Sequence, residues 1–223
     1  MLAAVFRSGD RLTGVDHVAA TLGGRARVFD GVIGQTGVEA LLAHVVARRD
    51  AFTPADVYRR ASGSTATETD TRDCLRLKDL GLGREPFAEA VAARAADAAA
   101  AFGLFERDLA AAEFELCAYG DGGRFAPHVD VVPPPAATRV MTCVYYFSRT
   151  PAPFTGGGLR LFAWPGATER DPIDIEPICD RLVMFPSFLK HEVLPVALDS
   201  DDWLDRRFNL TCWLCRPWAG NAA

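Results

Sequence analysis

Arg207-Phe208-Asn209-Leu210-Thr211-Cys212-Trp213-Leu214 is the stretch on which the reading of this chain turns. Side chains alternate between the two faces of a strand, so Phe208, Leu210, Cys212 and Leu214 form an unbroken apolar row. Arg207, Asn209, Thr211 and Trp213 share the other face. A strand of this kind packs on one side and lines a polar cavity on the other. A buried guanidinium is costly unless an anion meets it. Arg207 is therefore a candidate to hold a carboxylate in a bidentate fork.

Earlier segments repeat the partition. In Arg139 to Ser148, residues Thr142, Val144, Tyr146 and Ser148 share one face and Met141, Cys143, Tyr145 and Phe147 the other. Tyr146 can then reach the same carboxylate as Arg207, while Tyr145 packs. In Glu113 to Tyr119, Glu115, Cys117 and Tyr119 alternate with Phe114, Leu116 and Ala118, which makes Tyr119 a second candidate cavity hydroxyl. Strand-like runs recur at about 113–119, 125–131, 139–148, 158–164, 173–178, 181–186, 191–197 and 206–215, with Gly and Pro clusters between them. That spacing predicts a mainly-β domain with helices, built on a jelly-roll or cupin-like double-stranded β-helix.

The first half reads as helical, an accessory region over 1–112 packed on a core of 113–218, with a short tail at 219–223. Helices are predicted from about Val38 to Arg49 and from Pro86 to Phe102, the second alanine-rich, free of breakers and stopped by Gly103. Thr53-Pro54-Ala55-Asp56 has a capping threonine, proline at the first helical position and an acid behind it, so a short helix is expected through about Ala61. Ser62 to Arg72 is rich in Ser, Thr, Gly and Asp and reads as a surface connection, with a flap over the active site as the alternative. Pro133-Pro134-Pro135-Ala136-Ala137 reads as a stiff loop.

With 223 residues and 49% hydrophobic content, the chain can bury a sizeable core. A net charge of −5 and the absence of a long basic stretch argue against nucleic acid as a partner. Met1 to Val5 is apolar for too few residues to be a signal peptide or membrane span, so no membrane association and a cytoplasmic location are expected. The six cysteines lie scattered in apolar runs, as reduced buried thiols do. Cys212 and Cys215 spell C-x-x-C, but three residues along a strand send them to opposite faces. The sequon Asn209-Leu210-Thr211 falls inside a strand and is read as idle. Gly156-Gly157-Gly158 lacks the lysine and helix of a phosphate loop and is read as a tight strand entry.

His128-Val129-Asp130 places an imidazole and a carboxylate on one face of a strand, and His191 opens a later strand across the barrel mouth. Two imidazoles and one carboxylate occupy one face of a metal and leave the others open, the arrangement of a non-heme Fe(II) site. His17 and His44 lack such company and are read as structural or surface residues. Arg72, Arg124 and Arg139 could meet an anionic substrate, but read first as solvated or structural arginines.

The region from Glu113 to Pro217 resembles the prolyl-4-hydroxylase-type branch of the Fe(II)/2-oxoglutarate dioxygenases, including the hypoxia-inducible-factor prolyl hydroxylases. The resemblance is carried by Ala118-Tyr119-Gly120, His128-Val129-Asp130, Arg139 to Tyr146, Gly157 to Phe162, Ile175-Glu176-Pro177, Asp180 to Phe185, His191 to Pro195 and Arg207 to Trp213, in order and spacing. It implies that His128, Asp130 and His191 bind iron, that Arg207 and Tyr146 hold the distal carboxylate of 2-oxoglutarate, and that Tyr119 and Thr211 line its pocket. It further implies Fe(II), 2-oxoglutarate and dioxygen as reactants, with ascorbate as a reductant. The expected outcome is succinate, CO2 and hydroxylation of a C–H bond in a peptidyl residue, a free amino acid or a small metabolite. Related halogenases replace the carboxylate ligand, so Asp130 favours hydroxylation. An oxidative demethylase and a non-catalytic binding or sensing module on the same barrel are the rival readings. One departure from the family is the apparent insertion Asp199 to Asp205, which makes Arg206 compete with Arg207; the cavity-face register selects Arg207. Nothing in the sequence specifies an oligomeric state.

Overall fold

The alternation along these segments becomes antiparallel sheet pairing. The computed structural model describes residues 21–22, 24–59, 63–104, 109–131, 138–164, 166–167 and 171–216. Met1 to Val5, His17, the Pro133 to Ala137 run and the tail 219–223 lie outside them. The first half contains β1 (Thr21–Leu22), β2 (Ala26–Asp30), α1 (Gly34–Ala47), β3 (Thr53–Pro54), β4 (Val57–Arg59), β5 (Ser64–Ala66), β6 (Arg72–Asp73), β7 (Leu75–Leu77) and α2 (Glu85–Ala101). The second contains β8 (Ala110–Tyr119), β9 (Arg124–His128), β10 (Arg139–Phe147), β11 (Thr155–Gly156), β12 (Leu159–Leu161), β13 (Ile173–Ile175), β14 (Arg181–Pro186), β15 (His191–Val193), β16 (Val196–Ala197) and β17 (Arg207–Cys215).

The larger sheet runs β1-β2-β14-β10-β17-β8-β7-β3 and the smaller one β13-β12-β15-β9-β6. Strand β17 lies between β10 and β8 and is buried along its whole length, which is why both its rows had to be specified. Phe208, Leu210, Cys212 and Leu214 join Met141, Cys143, Tyr145 and Phe147 of β10 and Leu116 and Ala118 of β8 in the main core. That core is covered by Val38, Leu41 and Val45 of α1 and by Phe87, Ala90, Val91 and Ala98 of α2. Burying each of the larger side chains contributes about 1.5–3 kcal/mol. On the opposite face Val144 and Tyr146 of β10 and Val183 and Phe185 of β14 pack on Leu159, Leu161 and Ile175 of the smaller sheet. The two sheets thus face each other, and the double-stranded β-helix expected from the sequence is the observed fold.

Helix α2 starts one residue before the predicted boundary, with Pro86 in its first turn, and ends against Gly103, which takes φ +65°. Helix α1 begins earlier than predicted and has no capping side chain of its own at Ile33. Its first N–H groups are met from far along the chain: the Asp180 carboxylate accepts from Ile33 and Gly34 at 2.9 Å each and also from the Tyr145 hydroxyl at 2.8 Å.

The first half is not simply helical. Over 53–59, the described part of the helix expected from Thr53, no helix forms; Thr53–Pro54 pairs with β7, and β4 pairs with β5 as a hairpin. The capping signal around Thr53 was genuine locally, but a cap satisfies one or two N–H groups, whereas pairing also engages the Val57 and Tyr58 backbone, residues that favour strands. Strands β2, β3 and β7 extend the larger sheet and β6 edges the smaller one. The insertion Asp199 to Asp205 does not line the cavity. Trp203 is buried in the main core, donates to the Val45 carbonyl at 3.0 Å and meets the Phe52 and Phe208 rings edge-on. Asp202 and Asp205 pair with Arg149. Among the described residues no helix is long and apolar enough to cross a membrane.

Candidate active site

His191 and His128 face each other in the β15–β9 pair, with ring centroids 4.1 Å apart. Asp130 lies two residues past the end of β9, where its N–H donates to the Ser187 carbonyl at 2.9 Å and turns the carboxylate back toward both rings. Its oxygens are 3.7 Å from His128 Nε2 and 3.6 Å from His191 Nε2, and one ligand atom from each of the three residues falls within 4.8 Å of the others. The other ring nitrogens are engaged: His128 Nδ1 meets the Ala126 carbonyl at 2.8 Å and His191 Nδ1 the Leu189 carbonyl at 2.9 Å. Both rings therefore present Nε2, with the tautomer set by a backbone acceptor, as in metal centres.

The electrostatics suit a cation. Burial and then His191 depress the His128 pKa to about 3 despite the pull of Asp130. Burial works against the Asp130 anion, but the two histidines, the Thr142 hydroxyl and the Trp213 indole together bring its pKa to about 2. Thr142 Oγ1 donates to Asp130 Oδ2 at 2.6 Å and Trp213 Nε1 at 3.0 Å. A neutral His128 and an ionised Asp130 through the neutral range are the states a metal ion requires.

Arg207 opens on the same cavity, about 730 Å³ in volume. It is 1% exposed, and its Cζ lies 4.8 Å from the ring centroids of both Tyr119 and Tyr146. Nε donates to the Gly157 carbonyl at 3.1 Å and Nη1 to Asn209 Oδ1 at 2.5 Å; Asn209 Nδ2 in turn donates to Thr211 Oγ1 at 2.9 Å. Both acceptors of Arg207 are neutral, and among the described residues no carboxylate pairs with it. The Tyr146 hydroxyl is buried beside Arg207 and, among the described residues, makes no hydrogen bond of good geometry. Burial raises the pKa of both tyrosines, so each remains a neutral O–H donor. The glycine run proves structural: a Cβ on Gly157, at φ +66°, would lie 2.9 Å from Val196 Cγ2 and 3.3 Å from Arg207 Nε. Arg206, by contrast, is half-buried outside the cavity, with its guanidinium 5.3 Å from the Trp203 ring.

All of the residues singled out on the cavity face, His128, Asp130, His191, Arg207, Tyr146, Tyr119 and Thr211, line this one space. Not all of their contacts were anticipated. Thr142 and Trp213 were expected on the cavity face, and their bonds to Asp130 could have been found from it. The charged wall beside the triad could not: Arg72 of β6 pairs with Glu115 of β8, both buried, and Arg76 of β7 pairs with Glu115 and Asp56. Burial opposes the Glu115 charge, but Arg72, then the Cys117 thiol and Arg76, outweigh it and hold the carboxyl below its usual range. Val57, Tyr58 and Thr65 of the β4–β5 hairpin also line the cavity, so part of the segment read as a surface connection is cavity wall. Arg139 stacks on Trp213 at 3.8 Å and pairs with Glu113, whereas Arg124 is held by backbone carbonyls. His44 sits on α1, where burial lowers its pKa. All six cysteines are free.

Residues 114–215 match the 2OG-Fe(II) oxygenase superfamily. An uncharacterized PKHD-type hydroxylase of Synechocystis is 32% identical over 112 residues, covering 48% of this chain and 37% of that protein. The hypoxia-inducible factor prolyl hydroxylase of Caenorhabditis elegans is 38% identical over 97 residues, 42% of this chain and 12% of that one. This chain thus spans well under half the length of both relatives. A crystal structure of a Pseudomonas putida prolyl-4-hydroxylase superposes with a TM-score of 0.63 at 21% identity, covering 88% of this chain and 96% of that chain, which establishes the shared fold. Residues 114–215 are thus similar to the 2OG-Fe(II) oxygenase superfamily, and the fold is the one seen in a prolyl-4-hydroxylase.

Proposed function

We propose that this chain is an Fe(II)- and 2-oxoglutarate-dependent dioxygenase that hydroxylates a C–H bond of a peptidyl, prolyl-like residue, a free amino acid or a small metabolite. The observation that carries the reading is the buried Arg207, which meets no carboxylate among the described residues, beside the buried Tyr146 hydroxyl and in one cavity with the His128, Asp130 and His191 donors. These residues fit the implied groups. Two imidazole Nε2 atoms and a carboxylate oxygen suit Fe(II), and a cation plus a neutral O–H donor suit one end of a dicarboxylate. When bound, iron, dioxygen and 2-oxoglutarate supply the oxidation: the keto acid leaves as succinate and CO2, and C–H becomes C–OH.

The protein's part is positional. His128, Asp130 and His191 would hold the metal, with Thr142 and Trp213 fixing the carboxylate. Arg207 and Tyr146 would hold the distal carboxylate of 2-oxoglutarate, while Tyr119 and Thr211 shape its pocket and Asn209 keeps the guanidinium aligned. The oxygenase core is assigned to 113–218, with 1–112 as an accessory region that also lends strands to both sheets and 219–223 as a tail. A cytoplasmic location accords with the reduced cysteines.

The test is incubation with Fe(II), 2-oxoglutarate, ascorbate and a panel of peptides and free amino acids, following succinate and a mass gain of one oxygen. Asp130→Ala should abolish both. Binding of 2-oxoglutarate without succinate would identify a non-catalytic module instead, and formaldehyde release a demethylase.

A further inference from the structure

We propose that Phe125, itself held by Arg72, is the positioning residue that fixes the plane of the His128 imidazole for metal binding. The proposal rests on reading His128 as a metal ligand. The three donors are not equally constrained. The side chains of His191 and Asp130 are 6% and 9% exposed, whereas that of His128 is 21% exposed. His191 is enclosed by the edge-on Phe185 ring at 4.7 Å, and Asp130 by Thr142 and Trp213. His128 has its Nδ1 bond to Ala126, which pins one atom of the ring and leaves the plane to be set by something else.

That second constraint is Phe125, three residues back on β9, whose ring stacks on His128 with centroids 3.6 Å apart and planes 17° apart. A parallel stack resists rotation of the imidazole out of its plane, and so keeps Nε2 aimed toward His191 and Asp130. Phe125 is restrained in turn. Arg72 is its cross-strand partner in the β6–β9 pair, with Cζ 4.7 Å from the phenyl centroid. Arg72 is anchored to Glu115 on the larger sheet by a buried ion pair, and its Nη2 also meets Cys117 Sγ at 3.2 Å. The line Glu115, Arg72, Phe125, His128 thus ties the more exposed ligand to a strand of the opposite sheet. Pairing with Glu115 also offsets part of the Arg72 charge, so this cation near the metal ligands repels the ion less than a bare guanidinium would.

The decisive measurement is the Mn(II) dissociation constant, read from the EPR signal of the free ion on the full chain and its variants, beside the thermal unfolding of each metal-free protein. Phe125→Leu should weaken Mn(II) about 10-fold, the low end of losses seen when groups that orient metal ligands are removed. Phe125→Tyr should restore wild-type affinity, which a purely space-filling role for a β9 side chain would not require once Leu had folded. The pair Arg72→Gln/Glu115→Gln, which withdraws cation and anion together, should weaken Mn(II) several-fold, and it carries the test alone if Phe125→Leu does not fold. Unchanged affinity in Phe125→Leu, or in the Gln pair where that replaces it, overturns the proposal; so does a Phe125→Tyr loss as large as that of Leu. Wild-type protein that takes up no Mn(II), or Asp130→Ala protein that binds as well as wild type, refutes instead the metal reading beneath it.

Discussion

Arg207 donates from Nε and Nη1 to two neutral acceptors, and among the described residues no carboxylate meets its charge. Arg207→Leu should therefore weaken 2-oxoglutarate binding to the Mn(II)-loaded protein by about 2–5 kcal/mol, on the order of 30-fold or more, in equilibrium titration. Tyr146→Phe, which removes one neutral donor, should cost about 1 kcal/mol, roughly fivefold. At the neighbouring ligands the relevant variable is pH. The folded pKa of His128, about 3, lies below the ordinary value of 6.5, so the native state binds fewer protons than the unfolded chain between those limits. Its contribution to the stability of the metal-free protein is complete above pH 6.5 and lost as pH falls toward 3. Asp130, at about 2 against 3.8, adds a loss of the same sign at lower pH. Thermal unfolding of the metal-free protein should accordingly show Tm declining from pH 6.5 downward; a flat profile between pH 6.5 and 4 would contradict the buried, neutral state of His128.

Helix α1 owes its start to a carboxylate that is far away in sequence. Asp180 meets two N–H groups at the positive end of the helix and anchors Tyr145 as well. Asp180→Ala should lower stability by about 1–3 kcal/mol, visible as a reduced urea midpoint, with Asp180→Asn recovering part of it because one acceptor oxygen remains. Near Thr53 the opposite happened, since a local helix signal yielded to pairing with β7. Both outcomes have one cause: capping and pairing each satisfy backbone groups, and the arrangement that satisfies more of them while burying apolar surface prevails. Trp203 illustrates the same competition, because an acidic insertion that reads as surface carries one large apolar side chain that docks under α1.

The two halves of the candidate site belong to different sheets. His128 and His191 sit on β9 and β15 of the smaller sheet, and Arg207 and Tyr146 on β17 and β10 of the larger. A dicarboxylate held at the metal by one end and at Arg207 by the other would join the sheets. Mn(II) and 2-oxoglutarate together should raise Tm well beyond either alone, by about 2.7 kcal/mol of stabilisation at a 2-oxoglutarate concentration of 100 times Kd, and Asp130→Ala should abolish the increment. What the amino-acid sequence determined unaided was the division of β8, β10 and β17 into cavity and core faces, the His128, Asp130 and His191 grouping, and the placing of Arg207 rather than Arg206 on the cavity face. Each follows from a two-residue repeat or a short motif, which neighbouring residues define among themselves. Only the tertiary structure decided that β2, β3, β6 and β7 join the sheets, that Asp180 caps α1, and that Glu115 and Arg72 back Phe125 against His128. Those arrangements depend on which distant segments pack together. Local propensity carries no information about the partner, so they became visible only once the burial of the whole chain had selected one.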